Sequence, residues 1–137
     1  MKKVVEDSKE YLGKQVNVVM DRPLGSKHPK WGFVYPVNYG YIPDTISGDG
    51  EELDAYVLGE DKPLDKFEGV VKAIIHRTDN DDDKLVVMEK DKDFSKEEIY
   101  SFVNFQEKYF SSKLVWADGS VEGFIQSGSL VKQTKIK

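Results

Sequence analysis

The apolar positions of this chain fall in short runs separated by polar turns. Val16, Val18 and Val19 lie at near-alternate spacing within 15–20, which predicts a strand. Val70, Val71, Ile74 and Ile75 mark a second strand over 70–76, and Leu85, Val86, Val87 and Met88 a third over 84–89. The polar loop 77–83 between them makes a hairpin or a sharp reversal. Shorter strands are expected at 33–35, at 55–58 with Gly59 as its stop, at 114–116, and at 121–125 after the Asp118-Gly119 turn. One segment switches to helical spacing. Over 95–110, Ile99, Phe102, Val103, Tyr109 and Phe110 recur on one face, and Ser95 with Glu98 forms an S-x-x-E capping box. Gly13 is placed to close a short helical turn around 10–12. The final residues, 132–137, are expected to fray. The sum is a β-rich α+β domain spanning 1–137, built as a small barrel with its main helix at about 95–110.

Composition narrows this picture without changing it. A chain of 137 residues suits one domain around one core. A net charge of -5 argues against general nucleic-acid binding. The absence of cysteine excludes disulfides and thiolate metal sites, and it fits a cytoplasmic protein. No apolar run approaches the roughly 20 residues of a membrane span. Residues 1–7 lack the apolar core of a signal peptide.

The candidate chemistry lies in 35–54. This stretch carries Tyr35, Tyr39 and Tyr41, two prolines, and then Asp49, Glu51, Glu52 and Asp54. Its Gly and Pro content predicts an irregular path rather than one regular element. A second acidic run, Asp79, Asp81, Asp82 and Asp83, sits in the 77–83 loop. If Asp49, Glu51 and Asp54 meet Asp79 and Asp82 in one cleft, their mutual repulsion calls for divalent cations. Oxygen-only ligands favour Mg²⁺, Mn²⁺ or Ca²⁺ over zinc. Lys84, Arg22, Lys27 and Lys30 supply cations for a phosphate. Each signal has an ordinary reading as well: a solvated reversal, a sheet-face tyrosine, a solubility charge. His28, between Lys27 and Pro29, reads as exposed.

Taken in order, the motifs are more specific. Y-P-x-N-Y-G-Y-I-P, then D-G-E-x-L-D, then T-D-x-x-D-D-K-L-V resembles the soluble family I inorganic pyrophosphatases. The resemblance implies a five-stranded OB-like barrel with flanking helices and an acid-lined cleft. It implies hydrolysis of inorganic diphosphate to two phosphates, with Mg²⁺ as cofactor and Mn²⁺ as an alternative. Its metal ligands fall on Asp49, Asp54, Asp79 and Asp82, with Asp54 also touching a second ion. Glu51 takes the place of the family's water-orienting aspartate. Lys30, Lys84, Tyr39 and Tyr109 would grip phosphate. Asp21 replaces a family glutamate, and Phe110 stands where the family has a lysine. A strand hairpin carrying a metal-site glutamate and a phosphate-binding arginine is missing; Arg22 or Lys27 would replace that arginine. The family's habit also implies a homo-oligomer. Two alternatives stay open: hydrolysis of another phosphoanhydride such as a nucleotide, and metal or phosphate binding with little catalysis.

Overall fold

Alternation sets the first strand. In β1 (Gln15–Arg22), Val16, Val18 and Met20 turn one face inward while Gln15 and Asn17 face solvent. The computed structural model describes residues 7–47, 50–79 and 82–126. A 3₁₀ turn over Ser8–Tyr11 precedes β1. Gly13 follows it at φ 78°, and its N–H reaches the Val71 carbonyl at 2.8 Å. Then come β2 (Asn38–Ile42), β3 (Leu53–Val57), β4 (Lys66–Arg77), β5 (Asp82–Met88), α1 (Lys96–Glu107), β6 (Ser112–Trp116) and β7 (Val121–Ile125).

The strands close into a ring. The order β1-β2-β3-β5-β4 is completed by a β1–β4 pairing, and β6 and β7 extend the sheet beyond β4. All these pairs are antiparallel except β3–β5, which is parallel. The 12-residue β4 makes closure workable. Its first part, 66–70, pairs with β1, and its second part, 73–77, with β6. A register shift between Val71 and Ala73 separates the two parts. Such a bulge changes which residues face inward, so Val71 and Ile74 share the interior while Ala73 and Ile75 face out.

The ring strands are apolar on both faces because both are covered. Leu85 and Val87 of β5 fill the barrel with Val18, Leu53, Ala55 and Ile74. Val86 and Met88 point the other way, against Ile99 and Val103 of α1. This two-sided burial explains the continuous apolar run that marks β5 in the sequence. Helix α1 begins as expected: the Ser95 hydroxyl accepts from the Glu98 amide at 3.1 Å, and Glu98 returns the bond to the Ser95 amide at 2.8 Å.

Two local expectations differ. The 33–35 strand reduces to one bridge between Val34 and Lys27. Conversely, 38–42, read as irregular, is the regular strand β2. Gly40 makes that strand possible. It faces Met20 of β1, and a Cβ there would lie 2.1 Å from the Val19 carbonyl oxygen. The glycine thus serves close strand approach. No described helix is long and apolar enough to cross a membrane. The C-terminal segment expected to fray lies outside the described residues.

Candidate active site

A cavity of about 780 Å³ lies on the helix-covered side of the sheet. Its wall joins Lys84 of β5, Arg77 of β4, Tyr39 of β2 and the end of β1 at Asp21 and Arg22. The 23–35 loop and the residues just after α1 complete it.

Lys84 is the electrostatic centre. It is 4% exposed, which would be costly for an unpaired ammonium. Its Nζ lies 2.5 Å from Asp54 Oδ2 and 3.0 Å from Asp82 Oδ2. The parallel register places Asp54 directly beside Lys84, and Asp82 lies two residues before it on the same face of β5. Burial alone would lower the lysine pKa, but Tyr39 and Asp54, with Asp82, outweigh it and hold the pKa above the usual lysine range. Burial likewise pushes the Tyr39 phenol upward. The Tyr39 ring centroid lies 5.9 Å from the same ammonium.

A second charge pair continues the wall inward. Arg77 makes a two-pronged contact with Glu107, at 2.9 Å from Nε and 2.6 Å between its terminal nitrogen and Oε2. Its other terminal nitrogen is 3.6 Å from Asp82, and its guanidinium lies over the Phe110 ring at 3.7 Å. Burial opposes the arginine's charge, yet the Glu107 hydrogen bonds raise its pKa further. The Tyr56 hydroxyl donates to Glu107 at 2.6 Å and accepts from Gln106 Nε2 at 2.7 Å. Tyr35 donates to Gln106 Oε1 at 3.1 Å. Tyr35 and Tyr56 are therefore joined through Gln106 into one polar network, while Tyr35, Tyr39 and Tyr56 also pack in the core cluster on the helix side of the sheet.

The expected residues divide into groups. Lys84, Tyr39, Arg22 and Tyr109 border the cavity, the last of them 63% exposed. Asp54 and Asp82 reach it through Lys84. Asp79 accepts from the Ser111 amide at 3.1 Å. Glu51 is exposed, and its carbonyl accepts from the Ser47 amide at 2.7 Å. Lys27 sits in the bridge to Val34, and Lys30 lies over the Trp31 ring. Asp49 lies outside the described residues. Among those described, no three acidic or histidine side chains form a ready metal cage.

Asp21 also borders the cavity, where desolvation outweighs the Arg22 cation and raises its pKa. His28, expected exposed, is half-buried and packs on Phe33 with ring centroids 4.9 Å apart. Arg77, Glu107 and Gln106 were not anticipated. For Glu107 a signal existed: it follows Ile99 and Val103 at four-residue steps, on the apolar stripe of α1.

A family model described as inorganic pyrophosphatase matches residues 6–115. The chain belongs to that family. The inorganic pyrophosphatase of Aeropyrum pernix is 36% identical over 98 residues, covering 56% of this chain and 55% of that protein. That of Neisseria meningitidis serogroup A is 37% identical over 65 residues, 36% of each chain. The matches thus span from about a third to just over half of these curated relatives' length. Among solved structures, the Ehrlichia chaffeensis pyrophosphatase superposes with a TM-score of 0.59 at 18% identity, covering 96% of this chain and 99% of that one. The Helicobacter pylori enzyme gives 0.56 at 20% identity, covering 99% and 96%. These superpositions establish the pyrophosphatase fold, an OB-like five-stranded ring with one α-helix packed on it.

Proposed function

We propose that this pyrophosphatase-family chain hydrolyses inorganic diphosphate to two phosphates with Mg²⁺ as cofactor. The observation that carries the reading is Asp54 and Asp82 converging on Lys84 at a cavity that also holds Arg77 and Tyr39. In the reaction, water oxygen bonds to one phosphorus while the bond from that phosphorus to the bridging oxygen breaks. One water hydrogen stays on the attacked phosphate and the other passes to the leaving phosphate, so that diphosphate and water become two hydrogen phosphates.

The donor set fits a hard cation. Asp54 and Asp82 offer oxygens alone, already within 3.0 Å of one positive centre. These two, with Asp49 and Asp79, would hold Mg²⁺, and Mn²⁺ would suit the same oxygens. When bound, the cation neutralises diphosphate charge and acidifies water. Lys84 attracts a diphosphate oxygen while exchanging part of its contact with Asp54. Arg77 adds positive charge on the same wall, where the family's lysine is replaced by Phe110. Tyr39 donates to phosphate as a neutral phenol, since burial keeps its proton in place. Glu51 would orient the attacking water, in the place of the family's aspartate. Arg22 and Tyr109 contact the outer phosphate, and Lys27 and Lys30 add positive charge on the neighbouring loop.

Self-association belongs to this reading. Val34 and Val121 leave apolar side chains 51% and 54% exposed, and light scattering would report the assembly. The deciding assay is phosphate release from diphosphate by the purified, folded protein, with and without Mg²⁺. Mg²⁺-dependent turnover supports the proposal; release at the uncatalysed rate with Mg²⁺ present ends it.

A further inference from the structure

Inorganic diphosphate contains no carbon, yet much of this cavity is aromatic. Beside Lys84 and Arg77, its border includes His28, Trp31 and Phe33. Its volume of about 780 Å³ lies in the range of sites that enclose organic ligands, about 300–1,000 Å³. Aromatic walls add nothing to the binding of a small, fully charged polyanion. They add much to the binding of a flat ring.

Trp31 is the distinctive member. It is 68% exposed, an unusual state for a residue of its size. Its backbone is nonetheless firmly held. His28 Nδ1 accepts from both the Lys30 amide at 3.1 Å and the Trp31 amide at 3.0 Å. His28 N–H donates to the Phe33 carbonyl at 2.8 Å, and Gly32 N–H to the His28 carbonyl at 3.0 Å. The two bonds to Nδ1 leave the neutral His28 proton on Nε2. The His28 ring then packs on Phe33 and lies parallel to Tyr35 at 6.3 Å, which anchors the loop to the cavity wall. An indole on an ordered loop, at the edge of a cavity that holds Lys84 and Arg77, is a stacking platform whose backbone has little conformational freedom left to lose. Lys30 Nζ, 5.1 Å from the Trp31 ring centroid, places a cation at the same spot.

We infer that the cavity binds nucleoside polyphosphates, with the phosphate chain at Lys84 and Arg77 and the base stacked on Trp31. This rests on the phosphate-binding reading of Lys84 and Arg77 given above. It adds a ligand class that inorganic diphosphate does not represent.

Calorimetry on the full chain, with ATP and inorganic tripolyphosphate as probes at matched ionic strength, tests the assignment. Tryptophan fluorescence is followed in parallel, and diphosphate turnover is measured on the same sample. ATP should bind about tenfold or more tightly than tripolyphosphate, which shares its phosphate chain but lacks a base, and should change the indole emission. In Trp31→Ala, an exposed position tolerant of change, the preference should fall to about twofold or less and most of the emission change should vanish. Equal affinity for both probes in the wild-type protein overturns the inference, as does a preference that survives in Trp31→Ala. If neither probe binds while diphosphate is hydrolysed, the inference falls and the proposed function stands. If ATP is preferred through Trp31 and diphosphate is not turned over, the inference stands and the proposed function falls.

Discussion

Asp54 and Asp82 each offer an oxygen to the same ammonium, so neither can be altered without changing the charge that faces the cavity. Asp54→Asn keeps the shape and removes the charge. Under the proposed mechanism it should reduce diphosphate turnover by at least about a hundredfold, the scale of losing one placed charge. A variant that retains most of the wild-type rate would show that Asp54 has another role. Glu107 presents a stability question instead. It is fully buried and serves both Arg77 and Tyr56. Glu107→Ala leaves a guanidinium and a hydroxyl without their partner, which should destabilise the fold by about 3–5 kcal/mol. Urea denaturation measures this, and a loss below about 1 kcal/mol would contradict the pairing. The contrast also explains what the sequence disclosed at this scale. Asp54 and Lys84 belong to ordered motifs, so their type and spacing point to a site. Arg77 and Glu107 are 30 positions apart and meet only because β4 and α1 pack side by side. Neither carries a local sign of the other.

Among the elements, legibility followed the range of the forces involved. β4 and β5 are visible because burial on both faces gives runs of Val, Ile and Leu, and α1 because its capping box closes within four residues. β2 was hidden. Pro36, Pro43 and Gly40 speak against a strand locally, and the reason for the glycine lies in β1, about twenty positions away. That reason is testable. In Gly40→Ala the new methyl meets main-chain atoms of Val19 and Met20, which cannot rotate away as a side chain could. The two strands would have to part, at a cost of about 3 kcal/mol. A variant as stable as the wild type in thermal or urea unfolding would mean that β1 and β2 are less tightly apposed than described. The loss of β-strand order at 33–35 has a parallel cause. Its amides and carbonyls are spent on the 23–35 loop itself, as in the Tyr35 to Ser26 and Gly25 to Tyr35 bonds, each 2.8 Å.

At the scale of the whole molecule, three buried groups share one dependence on pH. Tyr39, Tyr56 and Lys84 all hold their protons more tightly folded than unfolded. Burial raises the phenols, joined at Tyr56 by the Glu107 charge, and the net effect at Lys84 is also upward. Above about pH 10 the unfolded chain gives up these protons while the folded chain keeps them. Stability from these groups is therefore full below that point and is lost as pH rises. Each group that ionises only on unfolding contributes a slope approaching about 1.4 kcal/mol per pH unit. Urea midpoints measured across this range should fall steeply, and Tyr39→Phe should make the fall shallower. A flat profile would show that these groups are not buried as described.

The parallel pairing of β3 with β5 sets Asp54 opposite Lys84 and Ala55 opposite Leu85. Sliding one strand by a single residue would bring Asp54 against Leu85 or Asp83, stranding a carboxylate beside an apolar side chain or beside another carboxylate. It would also turn the barrel-facing side chains of β3 toward the helix. During folding, the salt bridge can therefore act as an alignment key: the ring closes with its charges matched in one setting and mismatched in the adjacent ones.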